Sequence, residues 1–104
     1  MNAAVLRAPH DLVVAQVPRP TITEPTDILV RVEQTAICGT DLHPYEGRLE
    51  IEADVILGHE FLGTVEAVGE RVTEVAPGDF VILNWRAVCG QCRSCLNGKR
   101  RHCF

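Results

Sequence analysis

Four cysteines crowded near the end of this chain constrain its fold more than any other feature. Cys89, Cys92, Cys95 and Cys103 follow the spacing C-x2-C-x2-C-x7-C. Thiols separated by so few residues converge, and four thiolates are the preferred set for a closed, tetrahedral structural zinc with bonds of about 2.3 Å. Gly90 and Gly98 allow the tight turns that such convergence needs. Arg93, Lys99, Arg100 and Arg101 share the loop. They either help to hold the thiols ionised or form a solvated face beside the metal. Three other fates stay open beside zinc. Disulfides suit an oxidising compartment, and two-residue spacings make awkward loops for them. An iron–sulfur cluster matches the first three cysteines, but the fourth follows seven residues later rather than three, and Phe104 stands where proline would. A nucleic-acid zinc ribbon would set two C-x2-C knuckles further apart, on a basic domain.

The rest of the chain supplies a small globular body for that lobe. Its 104 residues are 46% hydrophobic and 23% charged, which argues against disorder. A chain of this size is expected to bury roughly two-thirds of its unfolded surface. The net charge of −4 disfavours nucleic acid or an anionic membrane as partner. No apolar stretch approaches the ~20 residues of a membrane span. The opening Met1-Asn2-Ala3-Ala4 lacks the layout of a secretory signal, so a cytoplasmic setting is expected.

Hydrophobic periodicity predicts β-structure. Residues 5–6 and 12–17 are short Val-rich stretches ending at Pro9 and Pro18. Ile28, Val30 and Val32 alternate with Leu29, Arg31 and Glu33, as in a half-buried strand. Residues 61–68 alternate likewise, interrupted by Gly63, which would suit a bulge or a close backbone approach. Pro77-Gly78-Asp79 signals a turn, and residues 80–83 read as the buried strand that follows. A short helix is expected within residues 38–48 and nowhere else. The pattern predicts a mainly β fold: a small antiparallel barrel with a cysteine-rich lobe at its C-terminal end.

The fifth cysteine stands apart, in Cys38-Gly39-Thr40-Asp41-Leu42-His43, with Gly58-His59-Glu60 some way downstream. Cys38 and His59 are both good zinc ligands, and Asp41 is a natural acceptor for the imidazole of a ligating histidine. By spacing alone the pair reads equally as a buried thiol and a surface histidine.

Taken in order, Cys38-Gly39-Thr40-Asp41-Leu42-His43, Gly58-His59-Glu60-x-x-Gly63, Pro77-Gly78-Asp79 and the four-cysteine loop resemble zinc-containing medium-chain alcohol dehydrogenases over essentially the whole chain. The resemblance implies a GroES-like barrel, the N-terminal portion of a catalytic domain spanning residues 1–104, with residues 88–104 as its structural zinc lobe. It implies Cys38 and His59 as ligands of a catalytic zinc, and Glu60 beside that metal. Thr40 would bond the substrate alcohol. His43 would end a proton relay and contact the cofactor ribose, and Asp41 would orient the ligand histidine. The chemistry implied is oxidation of a small-molecule alcohol, or the reverse on an aldehyde, with hydride transfer to NAD or NADP. A homo-oligomer fits the same resemblance.

No two of the eight glycines are separated by one residue. A Gly-x-Gly-x-x-Gly dinucleotide turn is therefore absent from these 104 residues, and so is a Rossmann domain. The sequence reads as the front part of a larger dehydrogenase, expected to bind zinc but not to turn over by itself. Two other function classes stay open: a zinc-stabilised barrel that mediates contacts only, and an iron–sulfur electron carrier. For substrate, residues 80–86 resemble formaldehyde dehydrogenases acting on thiol adducts, whereas residues 38–63 resemble general alcohol, polyol and aldehyde-dismutating relatives. The two halves point in different directions. Trp85 and Tyr45 are candidates for a pocket wall or for packing, and His102 is a spare ligand candidate beside Cys103.

Overall fold

A computed structural model describes residues 1–83, 85 and 88–103, so Asn84 and Arg86 of the segment before the lobe, and Phe104, lie outside the described residues. Strands β1 (Asn2–Ala8) and β2 (Asp11–Gln16) form an antiparallel hairpin. Pro9 and His10 turn it, with His10 in the left-handed region at φ 64°. Strand β3 (Ile28–Ala36) runs into a 3-10 turn (Gly39–Asp41) and the short helix α1 (Leu42–Tyr45), inside the segment where a helix was expected. Next come β4 (Val55–Ile56), β5 (Glu60–Val68) and β6 (Phe80–Leu83). The lobe adds helix α2 (Arg93–Leu96) and a 3-10 turn (Arg100–His102).

Among the described residues the strands form two three-stranded antiparallel sheets, in the orders β2-β1-β4 and β3-β5-β6. Strand β4, which the sequence pattern did not reveal, is only two residues long and pairs Val5 with Ile56 and Leu6 with Val55. Helix α2 also carries no amphipathic signal, because four residues make barely one turn.

Burial concentrates on the central strands. Leu6 is 1% exposed on β1 and Val65 2% exposed on β5, with Val5 also buried. One expectation fails here. Residues 80–83 do not form a buried strand; β6 is an edge, with Phe80 61% and Ile82 80% exposed, while Val81 and Leu83 are half-buried. The run is apolar on both faces, and composition cannot tell a central strand from an edge whose outer face stands open.

The exposed surface is 8001 Å². A compact monomer of this mass would show about 5,800 Å², and its unfolded chain about 16,700 Å². The chain thus buries about half of its unfolded surface, less than the roughly two-thirds expected from length. Its radius of gyration is 15.5 Å, against about 13 Å for a compact domain of similar length.

Gly63 behaves as expected of a strand glycine. It lies beside a bulge in the β3–β5 ladder, where a side-chain carbon would overlap the carbonyl oxygen of Arg31.

Candidate metal centres

The β3–β5 ladder ends at the pair Ala36↔Glu60. Cys38 lies just beyond one strand end and His59 just before the other, so antiparallel pairing brings distant parts of the sequence together. Ligand atoms of Cys38, His59 and Glu60 lie within 4.8 Å of one another. The turn after Cys38 holds this arrangement. The Asp41 carboxylate accepts the Cys38 backbone N–H at 2.9 Å through Oδ2. Its Oδ1 lies 3.2 Å from His59 Nδ1. One carboxylate thereby ties the thiol's backbone to the imidazole. The Thr40 hydroxyl completes the cluster, donating to Cys38 Sγ at 3.2 Å and lying 3.3 Å from His59 Nε2.

Gly58, at φ 115°, gives the chain a conformation open chiefly to glycine just before His59. Sequence inspection alone did not single out Thr35. Its hydroxyl donates to the Glu60 backbone carbonyl at 3.0 Å and ties the two strands beside the cluster. His43 stands on α1, and its carbonyl receives the N–H groups of Arg48 and Leu49 at 2.8 and 3.1 Å. Among the described residues no hydrogen bond joins His43 to Thr40.

The lobe brings all four of its cysteines together, with sulfurs within 4.8 Å. No disulfide joins any of the four. Gly90 and Gly98 sit at φ 73° and 72°, the left-handed turns that fold the loop back on itself. The Cys92 N–H points at Cys89 Sγ at 3.2 Å, and the Cys89 N–H at Cys103 Sγ at 3.3 Å. The Cys89 thiol is held below its ordinary value, first by the backbone N–H of Gln91, then by that of Cys92 and by the Cys103 thiol. Amide N–H groups lead this effect. Arg93, Lys99, Arg100 and Arg101 are exposed, as is His102, which lies outside the thiol cluster. Cys95 is different: burial, followed by the neighbouring Cys92 thiol, pushes it up to about 12. A buried thiol among three others keeps its proton until a cation takes the proton's place.

The donor sets suit different metal chemistries. Four sulfurs aided by N–H donors match a closed, four-coordinate structural zinc site. One sulfur, one imidazole nitrogen and one carboxylate leave a coordination position open, which a catalytic site requires.

Tyr45 meets the His10 ring edge-on at 5.0 Å, and the His10 N–H donates to its carbonyl at 2.8 Å, so Tyr45 docks the hairpin turn on α1. Trp85 is 63% exposed. It lines a mostly apolar cleft of about 420 Å³ with Glu60, Phe61, Leu62, Ile82 and Leu83.

Residues 24–104 match the model of the alcohol dehydrogenase GroES-like domain. An L-threonine 3-dehydrogenase of Solibacter usitatus is 44% identical over 92 residues, covering 85% of this chain and 27% of that protein. An uncharacterized zinc-type alcohol dehydrogenase-like protein of Bacillus subtilis is 38% identical over 104 residues, covering 99% of this chain and 28% of that protein. Among solved structures, an alcohol dehydrogenase from Thermus sp. ATN1 superposes with a TM-score of 0.94 at 40% identity, covering 99% of this chain and 30% of that one. A cobalt- and zinc-bound thermostable alcohol dehydrogenase from Pyrobaculum aerophilum gives 0.78 at 36% identity, over 99% of this chain and 32% of that one. The chain thus spans less than a third of the length of these relatives.

Proposed function

The chain belongs to the alcohol dehydrogenase GroES-like domain family, and on that premise we propose that its 104 residues supply a metal-binding N-terminal portion of a zinc-dependent alcohol or aldehyde dehydrogenase. Its fold is mainly β, a GroES-like antiparallel barrel with a C-terminal cysteine-rich lobe. In this reading residues 1–104 are the N-terminal portion of the catalytic domain, and residues 88–104 are its structural zinc lobe. One observation carries the reading: Asp41 accepts the Cys38 backbone N–H and sets its other oxygen 3.2 Å from His59 Nδ1 where Cys38, His59 and Glu60 converge. A barrel that only mediates contacts has no use for that arrangement.

When bound, zinc would polarise the oxygen of a small alcohol, while a nicotinamide held by another domain takes the hydride. The residues of this chain prepare that chemistry. Asp41 keeps the proton of His59 on Nδ1, so Nε2 presents its lone pair to the metal. Cys38 would supply its sulfur to the metal, and that sulfur accepts the Thr40 hydroxyl. Thr40 Oγ1 stands within hydrogen-bond reach of two ligand atoms, where it can accept the substrate's hydroxyl proton and pass on its own. His43, one turn further along, is the next station for that proton. A cofactor held by another domain would supply the ribose hydroxyl that bridges Thr40 and His43. Glu60 stands by as a carboxylate able to reach the metal.

Small-molecule alcohols or aldehydes are the proposed substrates and the cytoplasm the proposed setting. Among the described residues no helix is long and apolar enough to cross a membrane.

Metal analysis of the purified chain tests the reading. We expect tight zinc at the four-cysteine lobe and weaker, partial zinc at Cys38 and His59. Cys92→Ser should lose the first and Cys38→Ser the second. No metal loss in Cys92→Ser would remove the structural-site assignment. Alcohol oxidation with NAD by these 104 residues alone would contradict the division of labour proposed here.

A further inference from the structure

We infer that Gly63 is a positioning residue for the Cys38/His59/Glu60 cluster: it admits the bulge in β3 that sets the strand register at the metal end. The inference rests on the reading of that cluster as a metal site. The pairing of β3 with β5 changes register twice along its length. At one end of the ladder Ile28 pairs with Val68 and Leu29 with Ala67. Val30 then pairs with Val65, skipping Glu66, and Val32 pairs with Gly63. Beyond that, Gln34 pairs with Leu62, Thr35 with Phe61 and Ala36 with Glu60, skipping Glu33. Each strand carries one surplus residue, and the two irregularities cancel. The middle of the ladder is displaced by one residue, while both ends share one register.

Burial anchors the middle segment. Val65, 2% exposed, lies opposite the half-buried Val30. A ladder without either bulge would instead set Val30 against Glu66 and Arg31 against Val65, with one charge opposite a buried valine. The bulge at Glu33 has no such burial behind it. What permits it is the missing side chain of Gly63. A Cβ there would overlap the Arg31 carbonyl oxygen and lie 2.9 Å from its carbonyl carbon and 3.0 Å from Val32 Cα. All three are backbone atoms and cannot rotate away. The surplus Glu33 is held by the Thr64 hydroxyl and lies 3.7 Å from the Arg31 guanidinium.

Loss of this bulge alone, with the middle held, pairs Ala36 with His59 instead of Glu60. A one-residue slip moves the strand by about 3.3 Å and exchanges the faces of its side chains. The metal donors span no more than 4.8 Å, so such a slip takes His59 off the site.

The test uses the whole chain with zinc in the lobe. Cross-strand nuclear Overhauser contacts report the pairing, and cobalt titration reports the second site. In Gly63→Ala we expect the Ala36–Glu60 contact to give way to Ala36–His59, with Ile28–Val68 retained. Cobalt affinity at the second site should fall about tenfold or more. Deleting Glu33 in the Gly63→Ala background removes the surplus residue and should restore both readouts. Gly69→Ala is the control. It would overlap the Pro25 carbonyl and lie 2.7 Å from the Glu24 oxygen, but at the far end of β5; it should leave the Ala36–Glu60 contact and cobalt binding intact. Retention of the Ala36–Glu60 pairing in Gly63→Ala, failure of the deletion to rescue, or equal loss in Gly69→Ala overturns the inference. Should Gly63→Ala not fold, the double variant decides: wild-type pairing supports the inference and an unfolded chain overturns it. If the wild type binds no cobalt beyond the lobe, the metal reading fails, and the pairing contacts decide the register inference by themselves.

Discussion

Asp41 concentrates the local chemistry of this protein in one side chain. Only 14% of its side chain is exposed, and its two oxygens serve a backbone N–H and an imidazole. Asp41→Asn keeps the shape but cannot hold His59 Nδ1 and the Cys38 N–H with the same pair of acceptors. Zinc affinity at the Cys38 site should drop about 10–100-fold, while the lobe keeps its metal; competition with a chromophoric chelator measures both. Asp27 makes a second case, remote from the metal sites. It accepts the backbone N–H of Glu24 at 2.9 Å and both the N–H and hydroxyl of Thr23 at 3.0 Å. These bonds hold its carboxyl below the ordinary value of 3.8, the Glu24 amide contributing most. A carboxyl depressed in the folded state adds stability above its unfolded value, and that stability disappears as pH falls through the folded one. Asp27→Asn should therefore lower Tm near neutral pH, and the gap to wild type should close in acid well below 3.8. Thermal melts at several pH values check this; a gap that persists in acid contradicts it. The candidate ligands were visible in the sequence as chemical types. Thr35 was not, because its bond to the Glu60 carbonyl exists only once the strands pair.

At the scale of elements, sheets and lobe rely on different forces. The strands rest on ladders and on a few buried side chains. Among the described residues the lobe has one helix of four residues and one 3-10 turn, far below the ~12–15 residues an isolated helix needs. Its only buried hydrophobic residue among those described is Cys95, itself a ligand candidate. Metal must therefore supply most of its stability, and structural zinc is worth ~10–16 kcal/mol in small peptides. Chelation should collapse the amide resonances of residues 88–103 and expose four cysteines to a thiol reagent, while the strand resonances persist. Survival of the lobe resonances after complete zinc removal would contradict this. The lobe was legible because cysteine spacing reports convergence directly. Strand β4 escaped because two residues carry no period, and β6 was misjudged because an apolar run says nothing about which neighbours it has.

The whole molecule shows more surface than its mass warrants, 8001 Å² against about 5,800 Å². Exposed large apolar side chains occur along the chain, and Phe80, Ile82 and Trp85 bring three of them to the β6 edge and beside it. An exposed apolar edge strand is a template for pairing with another chain. The isolated chain should therefore self-associate at micromolar concentration, and combining Phe80→Ser with Ile82→Thr should lower its mean mass in sedimentation. An unchanged distribution would place the sticky surface elsewhere. Across these scales, the sequence by itself determined the chemical inventory: which thiols, imidazoles and carboxylates exist, and that the lobe cysteines must meet. Their short spacing leaves the chain little freedom to do otherwise. Only tertiary structure decided that Cys38 meets His59 and Glu60, since that depends on the register of two nine-residue strands. Register follows from which side chains are buried and where a missing Cβ admits a bulge, and both are properties of the paired strands rather than of either one.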